Sequence, residues 1–368
     1  MATRANPFEV TVAPGGGDTV APEDSTFAPP PAGPWHRAWA RFERHRLGYV
    51  SLWVLVAMLL AATFAELLSN ERPLVAHIDG RWYAPVLANP SEKALGGDFG
   101  TPADWKDPLV RALLTKPGNW AIFAPNQHGA DSRDDFNSGL PPAPPDAVNW
   151  LGTDPKGRDM IARLLYGFRV SIWFALALTV VGTALGVAAG ALQGYFGGRT
   201  DLFLQRATEI WGALPELLLL ILFASIFEPS LLLLLVLLSL FGWMGLSDYV
   251  RAEFLRNRSL EFVKAARALG LSNGQIIWRH VLPNSMTPVI TFLPFRMSAG
   301  ILGLTALDFL GLGVPGSTAS LGELLKLGKE NLYAWWVIVP TFVLLVLTML
   351  LLTFIGDALR DAFDTRKS

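Results

Sequence analysis

The sequence predicts an all-α polytopic membrane protein of about six transmembrane helices, with a large irregular insert between the first and the second. Three observations predict this. Hydrophobic residues make up 51% of the 368 positions and charged residues only 17%, a balance too apolar for a soluble enzyme of this size. The apolar residues gather in runs near the roughly 20 needed to cross a bilayer. Arg and Lys gather in alternate connections between the runs, as the positive-inside rule requires. The formal net charge of −1 does not point to a partner, and nucleic acid is not expected as one. Cysteine is absent, which removes disulfides, thiol catalysis and Cys-ligated metals.

Each element follows in order. Residues 1–34 are rich in Pro, Gly, Ala and Thr and lack an apolar signal core, so a disordered cytoplasmic tail is expected. Within 35–68, Arg37, Arg41, Arg44 and Arg46 precede the apolar run 47–68 and place its start in the cytoplasm. Residues 69–165 are polar, proline-rich and dotted with Trp82, Tyr83, Trp105, Trp120 and Trp150. By alternation they form an insert outside the cytoplasm, expected to carry short strands, with its aromatics as packing and interfacial anchors. Leu151–Asp159, reading LGTDPKGRD, leads back to the membrane. It has neither P-loop nor EF-hand spacing, so it reads as a structural turn.

The core, 166–358, holds five further spans. The second, 168–192, carries Gly182, Gly186 and Gly190, continued by Gly194, with a glycine every fourth residue. Such a stripe lets another helix backbone approach closely. The third and fourth spans are expected over 210–227 and 231–249. Glu209 and Glu216 lie near the inner end of the third, where they can snorkel or cap, and they are minor candidates for touching substrate. The fifth span, 288–307, contains Arg296, which must face protein, water or a carboxylate. A Gly-rich outer loop follows, and 336–355 is the sixth span. Residues 359–368, with Arg360, Arg366 and Lys367, place the C-terminus in the cytoplasm beside the N-terminus.

The most basic loop is 251–284. Inside it, Glu261–Asn284 reads as helix, turn, helix. Ser259 is the expected cap, and Phe262, Ala265, Ala266 and Leu269 make one small apolar face, with Lys264 and Arg267 off it. Gly270 suits the left-handed residue that ends a helix, Ser272 and Gln275 have capping-box spacing, and Pro283 ends or kinks the run. The residues admit two uses equally: docking on another protein, or lying on anionic lipid.

The stretch resembles the EAA loop of binding-protein-dependent ABC importer permeases. Ala265, Ala266, Gly270, Leu282 and Pro283 hold the motif positions, while Lys264 and His280 depart from it at Glu and Ile. With LGTDPKGRD before the second span and FLGLG after the fifth, the chain resembles the peptide/nickel (DppC/OppC) branch. Ile78–Val110, LDFLG and SLGELLKLGKENL resemble the Yej oligopeptide importers associated with microcin C.

This resemblance implies the type I ABC importer fold and a non-catalytic permease subunit of the bacterial inner membrane. It also implies a second, YejB-like permease, ATP-binding subunits with two nucleotide-binding domains, and a periplasmic peptide-binding protein. ATP and Mg would sit on the ATPase, with no cofactor on this chain. Glu261, Phe262, Lys264, Ala265, Ala266, Arg267, Leu269, Gly270, Leu282 and Pro283 would form the coupling surface. The rivals are an ion-coupled secondary transporter, which would need deep coupling groups and repeats, and a membrane-embedded enzyme. The five histidines are scattered without metal-ligand spacing.

Overall fold

A computed structural model describes residues 34–133, 139–316 and 318–363. Most of the expected N-terminal tail, and Arg366 and Lys367 of the C-terminal one, lie outside these residues. Helix α1 (Pro34–Arg44) leads into α2 (Arg46–Thr63), which breaks at Phe64 before the short α3 (Ala65–Leu68). The insert then forms β1 (Val75–Ile78), β2 (Arg81–Tyr83), α4 (Pro108–Leu114) and β3 (Trp120–Ile122). Its three strands are antiparallel in the order β2-β1-β3.

Strand alternation sorts the aromatic residues of the insert. Ala76 and Ile78 of β1 point into a small core with Leu95, Ala103, Trp105 and Val110. His77 stands on the opposite face, paired with Trp82 on one side and Trp120 on the other. Trp105 is therefore a packing residue, its indole N–H donating to Asn89 Oδ1 at 2.9 Å. Trp82, Trp120 and Trp150 remain exposed.

Helix α5 (Met160–Phe196) is 37 residues long, well beyond the expected 168–192. At 1.5 Å per residue it measures about 55 Å, against a hydrocarbon core of about 30 Å. The extra turns form because Asp159 caps the N-terminus, accepting from the Ala162 N–H at 2.8 Å. Arg163 in those turns and Arg169 just after them are neutralised by carboxylates of α13 and α3, at 2.5 and 2.7 Å.

The third span is not the continuous helix expected over 210–227. Helix α6 (Gly198–Gly212) and α7 (Glu216–Ile226) meet at 65°. Pro215 is the reason: it lacks an N–H, and its ring keeps Leu214 out of the helical region. Helices α8 (Leu231–Gly242) and α9 (Met244–Asn257) follow as one span, and α10 (Glu261–Ala268) and α11 (Asn273–Ile276) come next.

Pro283 does not end the next helix. A π-turn over Ile277–Val281 joins α11 to α12 (Leu282–Leu310), and Pro283 sits in the first turn of α12, where its missing N–H costs little. Helices α13 (Leu321–Glu330) and α14 (Trp335–Phe363) complete the chain. Among the described residues, five helices are long and apolar enough to cross a membrane, and the bent pair makes up to six. The main core gathers Phe168, Ile172, Ile301, Leu321, Leu324, Val337 and Leu352 from α5, α12, α13 and α14.

Candidate functional site

The segment after α9 is held by local backbone chemistry. Leu260, in extended conformation, occupies the N-cap of α10 without a side-chain bond. Ser259 does not cap; its hydroxyl donates back to the Arg256 carbonyl at 2.8 Å. The turn at the other end is built as the sequence suggests. Gly270 has φ +80°. Its N–H donates to Arg267 O at 3.0 Å, and that of Leu271 to Ala266 O at 3.2 Å, the paired bonds of a Schellman ending. Ser272 and Gln275 close a reciprocal capping box.

The expected apolar face is two faces. Val263 and Ala266 turn inward and pack with Ile276, Val281 and Val289 against Leu246, Val250 and Phe254. Phe262, Ala265 and Leu269 turn outward, with Leu269 80% exposed. Residues 262, 265 and 269 make one stripe at helical spacing and 263 and 266 make another. Both stripes are small and apolar, so spacing does not say which one meets the rest of the chain. The outer stripe is flanked by Lys264, bonded to Glu261 at 2.9 Å, by the exposed Arg267 and by Trp278, 73% exposed. Leu282 is half-buried and Pro283 exposed. Val263 and Ile276, buried beneath the segment, and the exposed Trp278 lie outside the motif.

The segment is tied firmly to the spans. Tyr195 near the end of α5 donates its hydroxyl to Asn273 Oδ1 at 2.8 Å, and its carbonyl accepts from Arg258 at 3.1 Å. Asn257 is buried and donates to Ser285 Oγ at 2.8 Å, joining α9 to α12. Arg251 grips Asp201 of α6 through Nε at 2.5 Å and Nη2 at 2.7 Å.

The glycine stripe of α5 faces the same neighbour. A Cβ on Gly186 would lie 2.9 Å from Trp243 O, one on Gly190 2.5 Å from Ser247 O, and one on Gly194 2.6 Å from Arg251 O. These three positions let α5 and α9 touch backbone to backbone. Gly182 instead faces the Arg296 guanidinium. Glu209 is exposed and bonded to Arg206 at 2.5 Å. Glu216 and Arg296 line one cavity between α5, α7, α8 and α12.

At the insert end, the LGTDPKGRD turn is a charge knot. The Asp154 carboxylate accepts from the Lys156 and Arg158 N–H groups at 2.8 and 3.0 Å and pairs with the Arg158 guanidinium at 2.6 Å. Glu323 of α13 receives Lys156 at 2.7 Å, Arg158 at 3.3 Å and Arg163 at 2.5 Å.

Residues 182–368, which hold the segment 251–284 and the glycine stripe, match the family described as the binding-protein-dependent transport system inner membrane component. Residues 33–86 match the N-terminal transmembrane domain of oligopeptide transport permease C. The chain is 47% identical over 331 residues to the inner membrane ABC transporter permease protein YejE of Escherichia coli (strain K12), covering 90% of this chain and 96% of that protein. It is 40% identical over 370 residues to the peptidoglycan transport system permease protein YejE of Agrobacterium fabrum, covering 92% and 96%. With the oligopeptide transport system permease protein OppC of Bacillus subtilis it shares 32% over 277 residues, 71% and 90% of the two chains. A membrane bundle carrying this surface, matched along its length by such permeases, belongs to the binding-protein-dependent transport system inner membrane component family.

Proposed function

We propose that this chain is one of two permease subunits of an ATP-driven importer that carries oligopeptides across the bacterial inner membrane. The relatives' names support the substrate class: they include an oligopeptide permease and a peptidoglycan transport permease. Peptides released from peptidoglycan and microcin C-like peptides are therefore the first substrates to try. The chain is the moving part of the machine and not its catalyst. ATP and Mg belong to a partner ATPase, the second permease is of the YejB type, and a periplasmic binding protein delivers the peptide. Both termini and 251–284 lie in the cytoplasm, and 69–165 in the periplasm.

The observation that carries this reading is the outward stripe Phe262, Ala265 and Leu269, apolar yet uncovered, on a helix whose other stripe is buried. It is a knob for a cleft on the ATPase. Anchored through Tyr195, Asn257 and Arg251, it transmits ATPase closure to α5, α9 and α12.

The test is ATP-dependent uptake of a labelled oligopeptide by proteoliposomes holding the full complex. Leu269→Glu leaves the buried stripe untouched, and Gly270→Val strains the turn. Uptake and ATPase co-purification should both fall while the permease pair stays intact. Unchanged uptake and co-purification would return the segment to a lipid-surface role.

A further inference from the structure

A charged cavity that the coupling surface does not use lies between the spans. It holds about 230 Å³ and is lined by Thr179 of α5, Glu216 at the start of α7, Leu238 and Gly242 of α8, and Arg296 and Gly300 of α12. Arg296 lies near the middle of α12, with its guanidinium against the Gly182 turn of α5. Charge at such depth is expensive and persists where it has a partner or a task.

Among the described residues, Arg296 has no partner. Arg296 is half-buried, whereas the two fully buried arginines are paired: Arg158 meets Asp154 at 2.6 Å, and Arg163 meets Glu323 at 2.5 Å. Arg296 Nε is buried with no acceptor. Thr179 is 4% exposed, and its hydroxyl is also unbonded. Thr341, Thr348 and Thr353 of α14 behave otherwise, each donating to the carbonyl four residues back at 2.7 to 2.8 Å. Among the described residues Glu216 forms no ion pair with Arg296, and it lines the mouth of the cavity from an exposed position. The floor is open as well, since a Cβ on Gly242 or Gly303 would meet nothing within 4 Å.

We propose that this cavity is a peptide-terminus subsite: Arg296 and Thr179 bind a free α-carboxylate, and Glu216 at the mouth binds the ammonium of the same short peptide. This deepens, and rests on, the reading of the chain as a peptide permease. The chemistry fits in sign and number. A guanidinium presents parallel donors to a carboxylate, a threonine hydroxyl adds another, and a carboxylate accepts from an ammonium. The volume suits a short peptide or the terminal residue of a longer one. A side chain from the second permease that neutralised Arg296 would be the competing use of the same charge.

The test uses the full complex in proteoliposomes and three probes: tri-alanine, its C-terminal amide and its N-acetyl form. The binding protein is the same throughout, so its own preference cancels from each variant-to-parent ratio. Arg296→Gln should lower tri-alanine uptake about tenfold, the order expected for a lost charge-assisted bond, while the amide changes less than about twofold. Arg296→Lys should restore most of the loss. Glu216→Gln should act on tri-alanine and spare the N-acetyl form. Thr179→Val, an isosteric change, should weaken tri-alanine uptake in the same sense as Arg296→Gln.

Equal loss for free and blocked peptides at either charged residue would overturn the subsite and leave that charge a structural role. Unchanged uptake of all three probes would place the cavity off the route. Should Arg296→Gln prevent assembly, Glu216→Gln at its exposed position still tests the subsite, through tri-alanine against the N-acetyl form. A parent complex that moves none of the probes with ATP would refute the peptide-importer reading itself, an outcome distinct from these.

Discussion

Arg163, on the first turn of α5, places its fully buried guanidinium 2.5 Å from the Glu323 carboxylate of α13, 160 residues later in the chain. The pair joins the start of the long helix to α13, the short helix that follows α12. Arg163 also donates to Asp131 at 3.1 Å and to the Ala130 carbonyl at 3.3 Å, which brings in the insert. Three separate parts of the chain thus meet at one cation.

Glu323→Gln leaves that cation buried with a weaker set of acceptors. Breaking a buried pair at one partner costs about 3–5 kcal/mol. Asp131 and Asp154 remain nearby, so the lower figure is expected. A lower Tm of the purified complex measures it, and an unchanged Tm would show that the pair contributes nothing net.

The glycine stripe makes a contrast within one helix. Gly190→Ala sets a methyl 2.5 Å from Ser247 O and 2.7 Å from Val250 Cβ. The backbone of α9 must move, at a cost of about 1–3 kcal/mol. Gly182→Ala meets only the end of the Arg296 side chain, which can shift. Thermal unfolding of the two variants should rank Gly190→Ala clearly below Gly182→Ala.

Gly270 has a left-handed backbone but open space around its missing side chain. Its substitution is therefore limited by strain and not by packing. Gly270→Asn should be tolerated, while Gly270→Val should cost about 1–2 kcal/mol or more. Limited proteolysis of the α10–α11 turn, faster in the valine variant alone, would check this.

Asp159 caps α5 and accepts from Asn126 at 2.7 Å, and its other oxygen is buried without a donor. Burial pushes its carboxyl above the ordinary carboxylate range, against the opposing pull of the Ala162 N–H and the Asn126 amide. A folded pKa above the unfolded one means that ionisation costs stability. The cost is absent below the unfolded pKa and complete above the folded one. Asp159→Asn keeps a capping oxygen and cannot ionise. The Tm of the variant minus that of the parent should therefore be largest at neutral pH and shrink toward about pH 4. A difference that stays flat would remove the charge from the account.

Much of the site is legible in the residues themselves. Gly270, Ser272 and Gln275 announce their turn because left-handed backbone and reciprocal caps depend on local atoms only. The stripe Gly182, Gly186, Gly190 and Gly194 announces a close contact but not its partner. Three of the four meet α9 and the first meets Arg296. Pro215 shows in the sequence as a break within an apolar run, yet the 65° bend that it leaves depends on what α6 and α7 pack against.

The sequence by itself determined that this is a helical membrane protein, where most of its apolar segments lie and which short segment carries the EAA-like motif. Hydropathy, capping and glycine spacing act between residues close in the chain, so they can be read along it. Only the tertiary structure decided which stripe of α10 stays uncovered and which carboxylate answers Arg163. It also decided that Thr179, Glu216 and Arg296 share a cavity. These depend on contacts between residues far apart in sequence, where two stripes of equal hydrophobicity, or two carboxylates of equal charge, differ only in what the folded chain brings beside them.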